Sequence, residues 1–236
     1  MRKKVIFLVA SALLALAINA SADRRSYVWT YQYMTMPMGL SELEFYQTTK
    51  LRATDDWEYR IEVEHGITSR WDVSLYQIFA QPEGGSLSWD AVQLRTRYRI
   101  GEVGMYPLDP LIYLEYNRKT DLKEPNKLEG KLILAKTIDK FNLAVNPVYE
   151  LFFGPGTKHE AGIDIGISWQ FHPRFVLGAE STSWFEFEDD ETATSSYLGP
   201  TVSFASGEWW LTAGAAFGIT DESDDARVRM ILGVGL

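Results

Sequence analysis

From about residue 40 to the C-terminus, apolar and polar residues alternate in strand-length runs separated by turn residues. Trp57, Tyr59, Ile61 and Val63 interleave with Glu58, Arg60, Glu62 and Glu64. At the other end, Val228, Met230, Leu232, Val234 and Leu236 interleave with Arg227, Arg229, Ile231, Gly233 and Gly235. A period of two places each set on its own face of a strand. One face suits an apolar medium, whereas the other carries charges too costly to leave in hydrocarbon. Repeated through an exported chain, the pattern predicts an all-β, antiparallel transmembrane β-barrel.

The N-terminus supplies the compartment. Arg2, Lys3 and Lys4 precede a short apolar run over residues 5–17, and Ala20-Ser21-Ala22 offers a small-residue cleavage site. The run is too short for a spanning helix and ends in a cleavage motif, so residues 1–22 read as a cleaved secretory signal peptide of bacterial type. The mean hydropathy of −0.16 argues against a helical membrane protein and suits strands that are half polar. Rings are abundant, with 8 Trp and 12 Tyr, as aromatic belts at two bilayer interfaces require. There is no cysteine, so an exported chain must be constrained otherwise, and closed backbone hydrogen bonding is the evident means. The 23 Lys and Arg, less Arg2, Lys3 and Lys4, face 32 Asp and Glu and leave a formal charge of −12, which argues against nucleic-acid binding.

Turn residues divide the chain into 12 predicted strands at 40–50, 57–65, 71–81, 89–100, 111–118, 127–136, 141–153, 160–171, 175–187, 197–204, 209–220 and 227–236. Short connections at 66–68, 137–140, 172–174 and 205–208 alternate with more polar segments at 53–56, 82–85, 120–126, 155–159, 189–196 and 221–225. In outer-membrane barrels short turns face the periplasm and longer loops face outward. The link over 101–110 is then the one long connection on the periplasmic side. Trp71, Phe141, Phe175 and Trp209 each open a strand on the apolar phase, which predicts an interfacial girdle. The chain therefore divides into a signal peptide (1–22), an N-terminal periplasmic or plug segment (23–39) and the barrel (40–236). Residues 27–36 look β-like and fit a periplasmic extension, an inward plug or half of an extra strand pair.

The inward phase is dense in ionisable residues. Its acids are Glu42, Glu44, Glu58, Glu62, Glu64, Glu115, Glu129, Glu150, Asp164 and Glu180, and its bases are Arg60, Arg95, Arg97, Arg99, Lys131, Arg227 and Arg229. Arg95, Arg97 and Arg99 stack three cations along one strand face, with Tyr113 and Glu115, then Glu129 and Lys131, on the strands that follow. These seven are the candidate lumen-lining residues. Two readings compete: the ladder faces a water-filled lumen and selects a solute, or opposite charges pair and rigidify the barrel.

The acidic clusters 189–191 and 221–225 lack the spacing of a calcium loop and read as solvated loops. Only His65, His159 and His172 are available as catalytic bases, and none pairs in the strand reading with a nucleophile at matching depth. No His/Cys cluster supports a metal, and no cofactor is expected.

Arg97-Tyr98-Arg99 with Gly101, Pro110 followed by Tyr113-Leu114-Glu115-Tyr116, Leu177-Gly178-Ala179-Glu180 and Leu198-Gly199-Pro200 carry a resemblance. With them the chain resembles outer-membrane barrels grouped with the phenol meta-pathway transporter-like proteins. The resemblance implies a bacterial outer-membrane barrel acting as a channel for small molecules, and carries over no substrate residue. The chain ends in Leu236, where many outer-membrane proteins end in Phe, yet its alternating apolar tail resembles their assembly signal. The expected partners are outer-membrane lipid, the barrel-assembly machinery during insertion and a small-molecule solute. The alternatives are a closed structural or binding barrel acting through its outer loops, and an outer-membrane lipid hydrolase.

Overall fold

The computed structural model describes residues 24–50, 56–187 and 192–236. The signal-peptide reading and the 189–191 acidic cluster lie outside the described residues. Twelve strands run in chain order: β1 (Ser41–Lys50), β2 (Trp57–Thr68), β3 (Trp71–Gln81), β4 (Ser88–Arg99), β5 (Asp109–Lys119) and β6 (Asn126–Ile138). β7 (Phe141–Phe153), β8 (Lys158–His172), β9 (Phe175–Phe187), β10 (Thr192–Ser206), β11 (Trp209–Gly218) and β12 (Ala226–Gly235) complete them. Each pairs antiparallel with its neighbours in sequence, and β1 pairs with β12 to close the barrel. Closure satisfies the backbone groups that an edge strand would leave open, which an apolar surrounding demands.

The predicted strands agree with these bounds to within two residues except at β2, which runs through the predicted 66–68 turn to Thr68 and turns at Ser69 and Arg70 instead, and at β10, which begins at Thr192 rather than at residue 197. Thr192-Ala193-Thr194-Ser195-Ser196 reads as a polar loop, but it pairs with Phe187 through Ser183. The Ser196 hydroxyl donates to Ser183 Oγ at 2.9 Å. Small hydroxyl residues fit a ladder when a partner strand is present, and local polarity does not reveal that partner.

The period-two pattern sorts faces as expected. Leu94, Leu114, Ile167 and Leu198 lie about half exposed on the outside. Glu42, Glu62, Arg95, Asp164 and Glu180, on the opposite phase, are buried inside. Trp71, Phe141, Phe175 and Trp209 all point outward at the short-turn end. There Phe141, Trp169, Phe171, Phe175, Phe204 and Trp209 form a continuous chain of ring contacts, with centroids 4.8–6.2 Å apart. Offset ring packing of this kind on successive strands builds the girdle.

Residues 24–39 are not a strand. They form a re-entrant segment that enters the lumen at the short-turn end and leaves there. Arg24 Nη1 donates to the carbonyl of Pro173 in the β8–β9 turn, and Met38 bridges to Gly66 beside the β2–β3 turn. Tyr27, Val28 and Thr30 of this segment are buried within the barrel.

Candidate functional site

Ordinary strand residues make room for the plug. Gly166 of β8 and Gly214 of β11 face inward, and a Cβ there would sit 2.7 Å from the Tyr27 ring and 2.7 Å from Val28 Cγ2. Glycine inside a strand is where another chain segment can approach this closely.

Polar side chains of the barrel wall then satisfy the plug backbone. The Glu180 carboxylate accepts N–H bonds from Val28 (2.8 Å), Trp29 (2.9 Å) and Thr30 (2.6 Å). Asn146 accepts from Tyr31 N at 2.6 Å and donates to Tyr31 O at 3.1 Å. Asp72 accepts from Met36 N at 2.9 Å, and Thr212 donates to the Arg25 carbonyl at 2.6 Å. A segment without regular secondary structure is tolerated inside a barrel only when its peptide groups find partners in this way.

The sequence-predicted site residues separate into three groups. Arg95 and Arg97 of β4 are buried in an ion-pair cluster. Arg95 Nη2 lies 2.8 Å from Glu62 and 2.5 Å from Glu64, and Arg97 bridges Glu64 and Asp72, the latter at 2.6 Å. Arg95 also donates to the Tyr76 hydroxyl at 2.6 Å. Arg99 lies lower, at the short-turn end, donating to the Ser69 carbonyl and covering the Tyr33 ring at 5.5 Å. Tyr113, Glu115, Glu129 and Lys131 instead line an open chamber of about 220 Å³, together with Arg25, Trp29 and Tyr31 of the plug. Tyr31 packs on Tyr113 with centroids 5.0 Å apart, and the Arg25 guanidinium sits 4.3 Å above the Tyr31 ring.

The chamber has two unlike walls. On the β5–β7 side, register aligns Glu115 with Glu129 and Glu129 with Glu150, and above the chamber the row continues through Glu160 of β8 and Glu186 of β9. Adjacent carboxylates on one face repel, and lysines are threaded between them. Lys127 lies 2.9 Å from Glu129 and 2.6 Å from Glu150, Lys131 lies 3.0 Å from Glu129, and Lys158 bridges Glu160 (3.0 Å) and Glu186 (2.6 Å). The opposite wall, from β12 and β2 with the plug, presents Arg229, Arg227, Arg60 and Arg25. Opposed walls of unlike charge set a field across the lumen. Above the chamber a wider vestibule of about 730 Å³ opens at the long-loop end, and Glu150, Trp184 and Arg227 border both spaces.

Asp72, Tyr46, Tyr76, Lys127 and the whole plug were not among the sequence candidates. Asp72 and Lys127 lie on the inward phase of their strands and were accessible to that rule. The plug contacts were not, because nothing local ties Val28 to Glu180. One catalytic expectation is also corrected. His65 does meet a hydroxyl, with Ser41 Oγ 2.8 Å from its Nδ1, because β1–β2 register places the two opposite each other. Among the described residues no carboxylate hydrogen-bonds that imidazole, so the pair lacks the group that orients a catalytic base.

Structural likeness follows the architecture. An outer membrane channel from Pseudomonas putida F1 (COG4313) superposes with a TM-score of 0.65 at 11% identity, over 89% of this chain and 100% of that one. The chain has the outer-membrane barrel fold. A NanC porin matches with a TM-score of 0.59 at 10% identity, over 83% of this chain and 98% of that one. A KdgM porin matches with a TM-score of 0.58 at 14% identity, over 83% and 99%. In sequence, residues 127–225 match a family of unknown function, DUF6662. No curated protein matches the chain in sequence. The matched stretch spans β6 to the β11–β12 loop and so contains Glu129, Lys131, Glu150, Asp164 and Glu180.

Proposed function

We propose that this protein is a channel of the bacterial outer membrane that passes small solutes through a charged lumen, narrowed from the periplasmic side by its own N-terminal segment. The observation that carries the reading is the continuity of the outward vestibule with the inner chamber, both walled by ionisable side chains. A barrel serving only as a scaffold gains nothing from leaving such polar space unfilled, since packed interiors are more stable than open ones. The apolar exterior and aromatic girdle support a membrane-spanning position, with the short turns in the periplasm. Outer-membrane lipid and the barrel-assembly machinery are the partners this placement requires. The neighbours described as porins and channels favour transport, and the phenol meta-pathway transporter-like resemblance proposes small organic molecules as the cargo.

A second reading has its own support. The anchoring of the plug by Glu180, Asn146 and Asp72 favours a closed barrel that acts through its outer loops. Single-channel recording of the refolded protein in a planar bilayer separates the two. Discrete current steps, with ion selectivity shifted in Glu115→Ala, are expected of the channel. A folded protein that stays silent over long recordings sinks the channel reading and leaves the closed barrel.

A further inference from the structure

Arg227 and Arg229 of β12 stand out among the inward cations. Most lumen bases are held by carboxylates: Arg95 and Arg97 by the β2–β3 acids, Lys127 and Lys131 by the glutamate wall, and Arg60 by Glu58 at 2.7 Å. Arg227 and Arg229, like Arg25 of the plug and Arg99 at the short-turn end, have no carboxylate within 4.0 Å among the described residues, and the β12 pair lies together against the Trp29 ring. Arg229 Nε donates to Thr48 Oγ1 at 2.8 Å, and its Nη1 reaches the Val28 carbonyl at 3.3 Å. Arg227 Nη2 donates to Thr182 Oγ1 at 3.0 Å, while its buried Nε has no partner. These neutral acceptors orient the two side chains without cancelling their charge. Arg60 of β2, Arg25 of the plug and Arg227 act on Arg229 as like charges, against the attraction of Glu58, which is itself paired with Arg60. Asp164 and Asp224 act on Arg227 only from beyond contact distance.

Uncompensated guanidiniums in a recess are costly unless an anion or water meets them. The recess also has flat walls. Both guanidinium carbons lie close to the Trp29 ring, at 5.8 and 5.7 Å from its centroid, and Arg227 lies 3.4 Å over the Tyr197 ring. Trp184 stands on the rim shared with the vestibule. A guanidinium fork matches a carboxylate in two parallel hydrogen bonds, and aromatic faces match a planar ring. Of the five described acids that border the vestibule, all but Glu222 sit beside a lysine, which eases the entry of an anion from outside. Lys158 holds Glu160 and Glu186, Lys127 holds Glu150, and Lys50 lies 3.8 Å from Asp224.

We propose that Arg227 and Arg229, with Trp29 of the plug as the floor, form a binding site for a small organic carboxylate that carries a flat ring. The site deepens the channel reading and rests on it for entry from outside. It makes the plug part of the binding surface rather than only an obstruction. A solute held there would occupy the arginine wall, opposite the lysine-threaded glutamates.

Calorimetric titration of the detergent-folded full mature chain with benzoate and with benzamide, its neutral relative, tests the site. Benzoate is expected to bind at least about tenfold more tightly than benzamide, and Arg229→Gln and Arg227→Gln are each expected to weaken benzoate about tenfold or more. Retention of the heat-modifiable mobility of a folded barrel shows that each variant is intact. Arg227→Lys, which keeps charge but loses the fork, is expected to fall between wild type and Arg227→Gln. Equal affinity for benzoate and benzamide overturns the proposal, as does wild-type benzoate affinity in both glutamine variants. Titration needs no conduction. A conducting barrel indifferent to benzoate therefore loses only the site, and a silent barrel that binds it loses only the channel.

Discussion

The Glu180 carboxylate receives the backbone N–H of Thr30 at 2.6 Å, joining residues 150 positions apart in the chain. The same carboxylate also takes the N–H groups of Val28 and Trp29, so one side chain of β9 caps three successive peptides. This is the strongest polar tie between the plug and the wall. Replacement by Ala would leave three donors without their acceptor, and bonds to a charged acceptor are each worth about 1.5–3 kcal/mol. Glu180→Ala is expected to release the segment while the barrel stays closed. Limited proteolysis of the folded protein should then cut within residues 24–38, and the mean single-channel conductance should rise. Wild-type resistance to protease in a folded Glu180→Ala barrel would show that the anchor lies elsewhere.

Steric access gives an independent way to move the same segment. Gly166 meets the Tyr27 ring and Gly214 meets Val28, with no room for a side chain. Gly166→Leu on the inner face of β8 is compatible with strand geometry, so the clash falls on the plug and not on the ladder. The expected result is loss of the hydrogen bond from the Tyr27 hydroxyl to the Asn142 carbonyl, now 3.0 Å, and a conductance change in the same direction as Glu180→Ala. Hydrogen exchange at Val28 through Tyr31 would read the release directly.

The buried cluster of Arg95, Arg97, Glu62, Glu64 and Asp72 should matter for stability more than for selectivity. Its charges pair with one another and with the hydroxyls of Tyr76 and Ser74, although the buried Arg95 Nε has no hydrogen-bond partner. Removing one partner from a buried ion pair strands the rest, at a typical cost of about 3–5 kcal/mol. Arg95→Ala is expected to lower the denaturant midpoint of the folded barrel markedly. Lys131→Ala, on the chamber wall, should shift the ratio of cation to anion permeability with a smaller loss of stability. Reversal of these two phenotypes would assign the selectivity to β4.

The outer surface makes a prediction of its own. Ile167 lies on the exterior phase of β8 and is 56% exposed to the surroundings of the barrel. An arginine on the lipid face near mid-membrane costs about 2–4 kcal/mol, and less toward either interface. Ile167→Arg should slow or abolish folding into lipid vesicles, whereas Ser168→Arg, on the inward phase, should be judged by its effect on the plug. Vesicle folding monitored by gel mobility checks the first. Normal insertion of Ile167→Arg would argue against a membrane position for this face.

Much of this architecture was legible in the residues themselves. Strand number, inward and outward phase, and the girdle of Trp71, Phe141, Phe175 and Trp209 all follow from a period of two and from turn chemistry, which are local properties of the chain. The inward position of Glu180, Arg97 and Glu129 follows from phase in the same way. The tertiary structure decided the partners. Arg97 chose Asp72 and Glu64 rather than Glu115, Lys127 was drawn among the glutamates, and Arg229 was left with Thr48 and the Val28 carbonyl in place of a carboxylate. It also decided that residues 27–36, rich in strand-forming types, would turn into the lumen and not join the sheet. A strand needs a free edge, and closure of β1 on β12 removed the last one. What remained for that segment was the interior, where Glu180, Asn146 and Asp72 satisfy its peptides and two strand glycines leave space for it. Those contacts link residues more than 30 and up to about 190 positions apart. No pattern along the chain encodes them, because the charge and volume they answer exist only after the barrel has closed.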